Sequence, residues 1–135
     1  MAELVIVLVI AGILAAIMIP NFNQTAVNAT WYHEQVRSGI RYAQRVAVAQ
    51  RRQVFVVVEA GPQLALCYAA ACGVGTRLTQ VDSANSFQLP APSGVALSIS
   101  ASPFSFNGLG QPTSGATVTV GPRTIVITAE TGYVR

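Results

Sequence analysis

The stretch that most limits what this chain can fold into runs from Glu3 to Pro20, ELVIVLVIAGILAAIMIP: a carboxylate, sixteen uncharged residues from Leu4 to Ile19, and a proline. As a helix it is apolar on every side, which excludes an amphipathic helix lying on one surface. At about 1.5 Å per residue it is roughly 24 Å long, somewhat short of the roughly 30 Å hydrocarbon core of a bilayer. The remainder of a 135-residue chain is a small domain for enclosing such a rod. The rod is therefore expected to meet membrane, other copies of itself, or each in turn.

Glu3 is the odd residue of this stretch. A carboxylate at the head of an apolar run is costly unless it sits at an interface or finds a cation. It reads either as an interfacial residue suited to the positive end of the helix dipole, or as a group that pairs between subunits with a terminal amine. Pro20 removes a backbone donor and disfavours helix at Ile19, so a kink or local melting is expected there; Gly12 is a second weak point.

Composition points the same way. Charged residues make up only 10% of the chain, against a typical quarter, and mean hydropathy is +0.50, so much of the surface is weakly polar or covered by neighbours. This favours a packed assembly over a free soluble enzyme. The eight basic residues are all Arg, against five acids, and a net charge of +3 does not by itself imply nucleic acid.

After Pro20 the pattern becomes amphipathic to about Arg52. Val36, Ile40, Ala43 and Ala47 share one helix face, while Arg37, Arg41, Arg45 and Arg52 form a stripe roughly opposite. No acids alternate within that stripe, so partners for it are expected from elsewhere. Trp31, Tyr32 and His33 are expected to pack against the globular part, and a single histidine excludes a histidine-rich metal site. Beyond Arg52 the code changes to strands: Val54 to Glu59, Leu64 to Ala69, Phe87 to Leu89 and Val95 to Ala101. Phe104 and Phe106 continue the alternation of the last of these. Thr117 to Val120 and Arg123 to Thr128 flank Gly121-Pro122, with Gly132 to Arg135 as a terminal edge. The class is α+β: a long N-terminal helix whose second half packs on a mostly antiparallel sheet or small two-sheet sandwich. Three regions follow, an apolar helix over 1–20, its amphipathic continuation over 21–53, and a β-rich head over 54–135.

No enzyme site emerges. Glu3, Glu34, Glu59, Asp82 and Glu130 are scattered one to a region, and there is no phosphate loop or metal motif. Cys67 and Cys72 frame Tyr-Ala-Ala-Ala, a poor zinc set without CxxC redox spacing. The reading therefore calls for no catalytic residue, no cofactor and no metal.

ELVIVLVIAGILAAIMIP resembles the N-terminal signature of type IV pilins and type II secretion pseudopilins, in which an early Glu precedes an unbroken apolar helix with a Gly midway and a Pro at its end. Glu3, Gly12 and Pro20 keep that family's mutual spacing. In the family a prepilin peptidase removes a basic leader after a glycine and methylates the new N-terminus, usually a phenylalanine. This sequence departs there, starting Met1-Ala2, without a leader and two residues short before the Glu. More loosely, IRYAQRVAVAQRRQVFVVV from Ile40 to Val58, FSFNGLGQP and the closing ITAETGYVR are similar to the H-type minor pseudopilins, the FimT-like minor pilins and the biogenesis pilins of mannose-sensitive haemagglutinin pili.

The resemblance implies a structural subunit of a type IV pilus or pilus-like filament. Its partners would be copies of itself or other pilins, the inner membrane before assembly, and the assembly machinery. It also implies the assembly roles: the terminal amine at Met1 and Glu3 as the docking pair, with Gly12 and Pro20 as joints. A domain outside the cytoplasm makes a Cys67–Cys72 disulfide the expected state, with two free thiols as the alternative. A minor subunit that primes assembly or secretion is a second reading. A third is a DNA-uptake pilin, for which the family uses a C-terminal Gly followed by Arg, an apolar residue and Arg. Here Tyr133 replaces the first Arg, leaving Arg135, with Arg123, as the polyanion contact.

Overall fold

The computed structural model describes residues 1–17, 23–80 and 82–135. The joint expected at Ile19 and Pro20 lies outside the described residues. Helix α1 spans Ala2–Ile17 and runs unbroken through Gly12. Helix α2 spans Gln24–Gln50. No described helix is long and apolar enough to cross a membrane.

Both ends of α2 are capped. The Asn23 side-chain oxygen accepts from the Ala26 N–H, satisfying one of the orphan donors of the first turn. At the other end Arg51 adopts a left-handed conformation (φ 50°), and the Arg51 and Arg52 N–H groups donate to the Val48 and Ala47 carbonyls. The helix thus stops at Gln50, and Arg52 lies beyond it. There its guanidinium sits 3.8 Å from the centre of the Tyr68 ring.

Among the described residues seven strands follow: β1 Val54–Glu59, β2 Gln63–Cys67, β3 Gln88–Pro90, β4 Leu97–Ile99, β5 Phe104–Phe106, β6 Ala116–Val120 and β7 Arg123–Ile127. They form an antiparallel four-stranded sheet in the order β3-β2-β1-β5 and an antiparallel three-stranded sheet in the order β4-β6-β7. Phe104 and Phe106 do not continue the alternation of Leu97 to Ile99 as expected. The chain leaves the second sheet after β4, and β5 pairs with β1, setting Val54 opposite Phe106 and Val56 opposite Phe104. The reason is packing: both phenylalanines are fully buried, and they meet edge to face at 5.5 Å in the core beneath α2.

The predicted inner face of α2 is correct. Val36, Ile40, Ala43 and Ala47 are wholly buried and form one core with Val54, Val56, Leu64 and Leu66 of the first sheet and Val118, Val120, Ile125 and Ile127 of the second. Gly39 lies on the same side, where a Cβ would come within 3.2 Å of Phe87 and Leu89. Its place in mid-helix, which costs roughly 0.5–1 kcal/mol in propensity, lets β3 approach.

Tyr32 and His33 pack on the domain as expected, but Trp31 does not: it is 59% exposed, because its position on the helix points away from both sheets. The Tyr32 hydroxyl is fully buried and donates to the Leu89 carbonyl at 2.7 Å. Burial pushes its pKa up to about 12, against a weaker lowering from the Leu64 backbone. Tyr32 in the unfolded chain ionises near pH 10, while in the folded chain it stays protonated to about pH 12. Its contribution to stability is therefore complete below pH 10 and falls between pH 10 and 12. The loss is about 3 kcal/mol at about 1.4 kcal/mol per tenfold. Urea denaturation at closely spaced pH values is expected to show this slope, and Tyr32→Phe, though less stable at neutral pH, is expected to lack it.

Candidate functional site

Two regions of the molecule are set apart by chemistry, the N-terminal rod and the place where the C-terminal residues and the loop after β5 meet α2. In the rod, every described residue is exposed and none is buried; Ile10 stands at 53% and Ile17 at 74%. Glu3 occupies the first turn, where the positive end of the helix dipole suits a carboxylate, and it makes no ion pair among the described residues. The domain core is assembled entirely from residues beyond the rod, from Ala29 onward.

The second region joins three stretches distant in sequence. The Gln44 side-chain amide on α2 donates to the Gly110 carbonyl at 2.8 Å and to the Thr131 carbonyl at 3.4 Å. One turn earlier, Arg41 donates to the Val134 carbonyl at 2.9 Å. The terminal residues run antiparallel beside β7, with the Gly132 N–H on the Thr128 carbonyl and Val126 and Arg135 exchanging backbone hydrogen bonds. Gly132 has φ 69°, and a Cβ there would run into the Gly110 carbonyl oxygen. The quoted stretches IRYAQR, FSFNGLGQP and ITAETGYVR therefore meet in a single clasp, which neither spacing nor periodicity could have revealed.

The arginine stripe resolves residue by residue. Arg37 and Arg41 are only half exposed and Arg45 is exposed. Glu34, outside the stripe and one turn before Arg37, lies 3.7 Å from it. His33 sits between two acceptors, Glu34 at 3.3 Å and the Thr124 carbonyl at 3.4 Å, and so ties α2 to β7. Arg123 and Arg135 are both exposed, but pairing and alternation put them on opposite faces of the ladder: Arg123 shares a face with Ile125, and Arg135 stands beside Val126.

On the outer face of the first sheet, Cys67 and Cys72 are joined in a disulfide with their Cα atoms 5.6 Å apart. Close by, Arg77 reaches both carboxylate oxygens of Glu59 at 2.8 Å, and Gln63 donates to the same carboxylate at 2.7 Å. This pair is largely shielded from water and braces the loop after the disulfide against β1. A carboxylate spent on an arginine and a glutamine is not a general base. No group of three metal-ligating side chains occurs among the described residues.

No family model and no curated protein sequence matches this chain. Its fold does have solved counterparts. Two crystal forms of the type IV minor pilin FimU from Pseudomonas aeruginosa superpose on it with a TM-score of 0.60 each. One is 15% identical over 78% of this chain and 90% of that one, the other 16% identical over 84% and 87%. The chain therefore has the pilin fold, an N-terminal helix packed on antiparallel sheets, at an identity too low to carry more than the fold.

The clasp has a measurable consequence. Gly132→Ala forces a side chain into a left-handed backbone position and against a carbonyl, and is expected to cost about 2 kcal/mol or more in urea denaturation. Gln44→Met strips a donor from two carbonyls, at about 1–3 kcal/mol. Because both act on one contact, the double substitution is expected to cost less than the sum.

Proposed function

We propose that this chain is a non-enzymatic subunit of a type IV pilus or pilus-like filament, of the minor-pilin kind whose fold it shares. One observation carries the reading: a helix apolar on every side beyond Glu3, and exposed along its whole described length, precedes a domain whose core is complete without it. Apolar surface of that extent is stable only when something covers it. In the proposed sequence of events the rod waits in the inner membrane with the domain outside the cytoplasm. It then leaves the bilayer as it becomes buried among the rods of other pilins, so that one apolar environment is exchanged for another. Consistent with that orientation, no Arg or Lys lies between Pro20 and Val36.

Glu3 has the docking role. Once the rod enters an apolar filament core, its carboxylate needs a cation, and the terminal amine of a neighbouring subunit is one that every copy supplies. The sheet domain forms the outer surface, braced by the disulfide and the Glu59–Arg77 pair. Adaptation to DNA is not proposed, since Arg123 and Arg135 do not combine on one face of the sheet.

Electron microscopy and immunolabelling of sheared cell surfaces test the reading: labelled fibres are expected, and strictly cytoplasmic antigen would sink it. Glu3→Ala tests the docking role separately. Since Glu3 touches nothing in the domain, its removal is expected to leave thermal stability unchanged within about 0.5 kcal/mol. Incorporation into fibres is expected to fall severalfold, and wild-type fibre yield would refute the pairing.

A further inference from the structure

Helix α2 ends on a residue that its backbone does not favour. Past Gln50 the chain turns left-handed, a conformation that usually falls to glycine, yet Arg51 occupies it. Among the described residues it is the one non-glycine with positive φ. Backbone strain of this kind gathers at ligand clamps and switch regions. Gly108 presses on the same point: a Cβ there would come 2.9 Å from the Arg51 carbonyl carbon, so the loop after β5 lies against the end of the helix.

That loop holds an apolar side chain out in solvent. Asn107 Oδ1 accepts from the Leu109 and Gln111 N–H groups at 3.0 Å each. The Gly110 N–H donates to the Asn107 carbonyl and the Asn107 N–H to the Gln111 carbonyl, both at 2.9 Å. A turn fixed at these points presents Leu109 81% exposed. Val48, also exposed, joins it in lining an open hollow of about 720 Å³, completed by Arg51, Asn107 and Gly108.

Charge around the hollow runs one way. Between Gln35 and Val58 stand Arg37, Arg41, Arg45, Arg51 and Arg52, and no acid. Three are engaged: Arg37 with Glu34, Arg41 with the Val134 carbonyl, and Arg52 over the Tyr68 ring. Arg51, and Arg45 one turn before Val48, make no ion pair among the described residues. Glu130 approaches through its carbonyl, which accepts from the Gln111 side chain at 3.4 Å, but its carboxylate pairs with neither.

We propose that the hollow between the end of α2 and the loop after β5 is a docking site for an acidic segment of another protein. A carboxylate of that segment pairs with Arg51, and a large apolar side chain next to it packs on Leu109 and Val48. Arginine holds carboxylates through paired hydrogen bonds, and apolar contacts around such a pair keep water out. The site goes beyond the filament reading and does not rest on it. A nucleic acid fits less well. Phosphate backbones are held by several cations together, whereas two arginines are unengaged here, and the Tyr68 ring is covered by Arg52 instead of open for a base to stack on. A second copy of this chain also offers less, since Glu34 and Glu59 are already paired within it and Glu3 lies on the rod.

Full-length chain in detergent micelles is used to select binders from a random peptide library, and binding is then measured by fluorescence anisotropy. Enriched peptides are expected to place Asp or Glu beside Leu, Ile or Phe. Arg51→Gly and Leu109→Ser are each expected to weaken their binding by about tenfold or more. Arg123→Gln, next to the Thr124 carbonyl that His33 holds near the start of α2, removes the same charge and is expected to change binding by less than about twofold. Arg51→Gly also relieves the left-handed strain, so its thermal midpoint should hold or rise while binding falls. If that variant fails to fold, Leu109→Ser decides alone, because its side chain lies in solvent. Selection that enriches no acidic, apolar peptide, or peptides that bind Leu109→Ser as well as wild type, would overturn the site. Displacement of the peptide by duplex DNA would overturn it in favour of a polyanion surface. Self-association of the chain that Leu109→Ser abolishes would overturn it in favour of a second copy. None of these measurements needs a filament, so a lack of fibres on cells would sink the filament reading and leave this site standing.

Discussion

The sheet domain closes a core of its own, whereas no described residue of α1 is buried, and this imbalance sets what the rest of the molecule has to do. At roughly 25 cal/mol per Å² of apolar surface removed from water, an uncovered helix of sixteen residues is a strong driving force for association. The domain cannot supply that cover, because its inner surfaces are already used. The core-facing side chains of α2 are in contact with both sheets, and the large apolar side chains it leaves outside are Val27, Trp31 and Val48.

What holds the domain together is a helix laid across two sheets, with polar ties at three levels of α2. Tyr32 reaches the Leu89 carbonyl in β3, His33 reaches the Thr124 carbonyl in β7, and Arg41 and Gln44 hold the terminal hairpin and the loop after β5. Each tie ends on a backbone carbonyl. The helix is therefore fixed against the path of the chain and not against particular side chains. That tolerates sequence drift, which fits a fold shared with a minor pilin at about 15% identity. Such a domain keeps α2 in one orientation against the two sheets.

The outer surface differs in kind. The disulfide, the Glu59–Arg77 pair and Gln63 stiffen one face of the first sheet, and none of these groups is arranged as a nucleophile with a base. What stands out is physical: an exposed apolar helix at one end and a braced sheet face on the domain.

The sequence by itself determined the apolar rod, the inner face of α2, the strands β1, β2, β6 and β7 to within a residue or two, and the α+β class, because each depends on a local period of 3.6 or 2 residues. Tertiary structure decided the rest. Which strands share a sheet was not legible, since Phe104 and Phe106 fit the alternation of β4 as well as they fit β1, and only burial in the core chooses between them. Trp31 could not be told from Tyr32 by residue type; helix rotation put one outside and the other beneath β3. The clasp of Gln44, Gly110 and Gly132 joins residues dozens of positions apart, and a lone glycine near a chain end carries no local sign that a carbonyl lies against it. Periodicity sees along one element at a time, and the contacts that organise this protein run between elements.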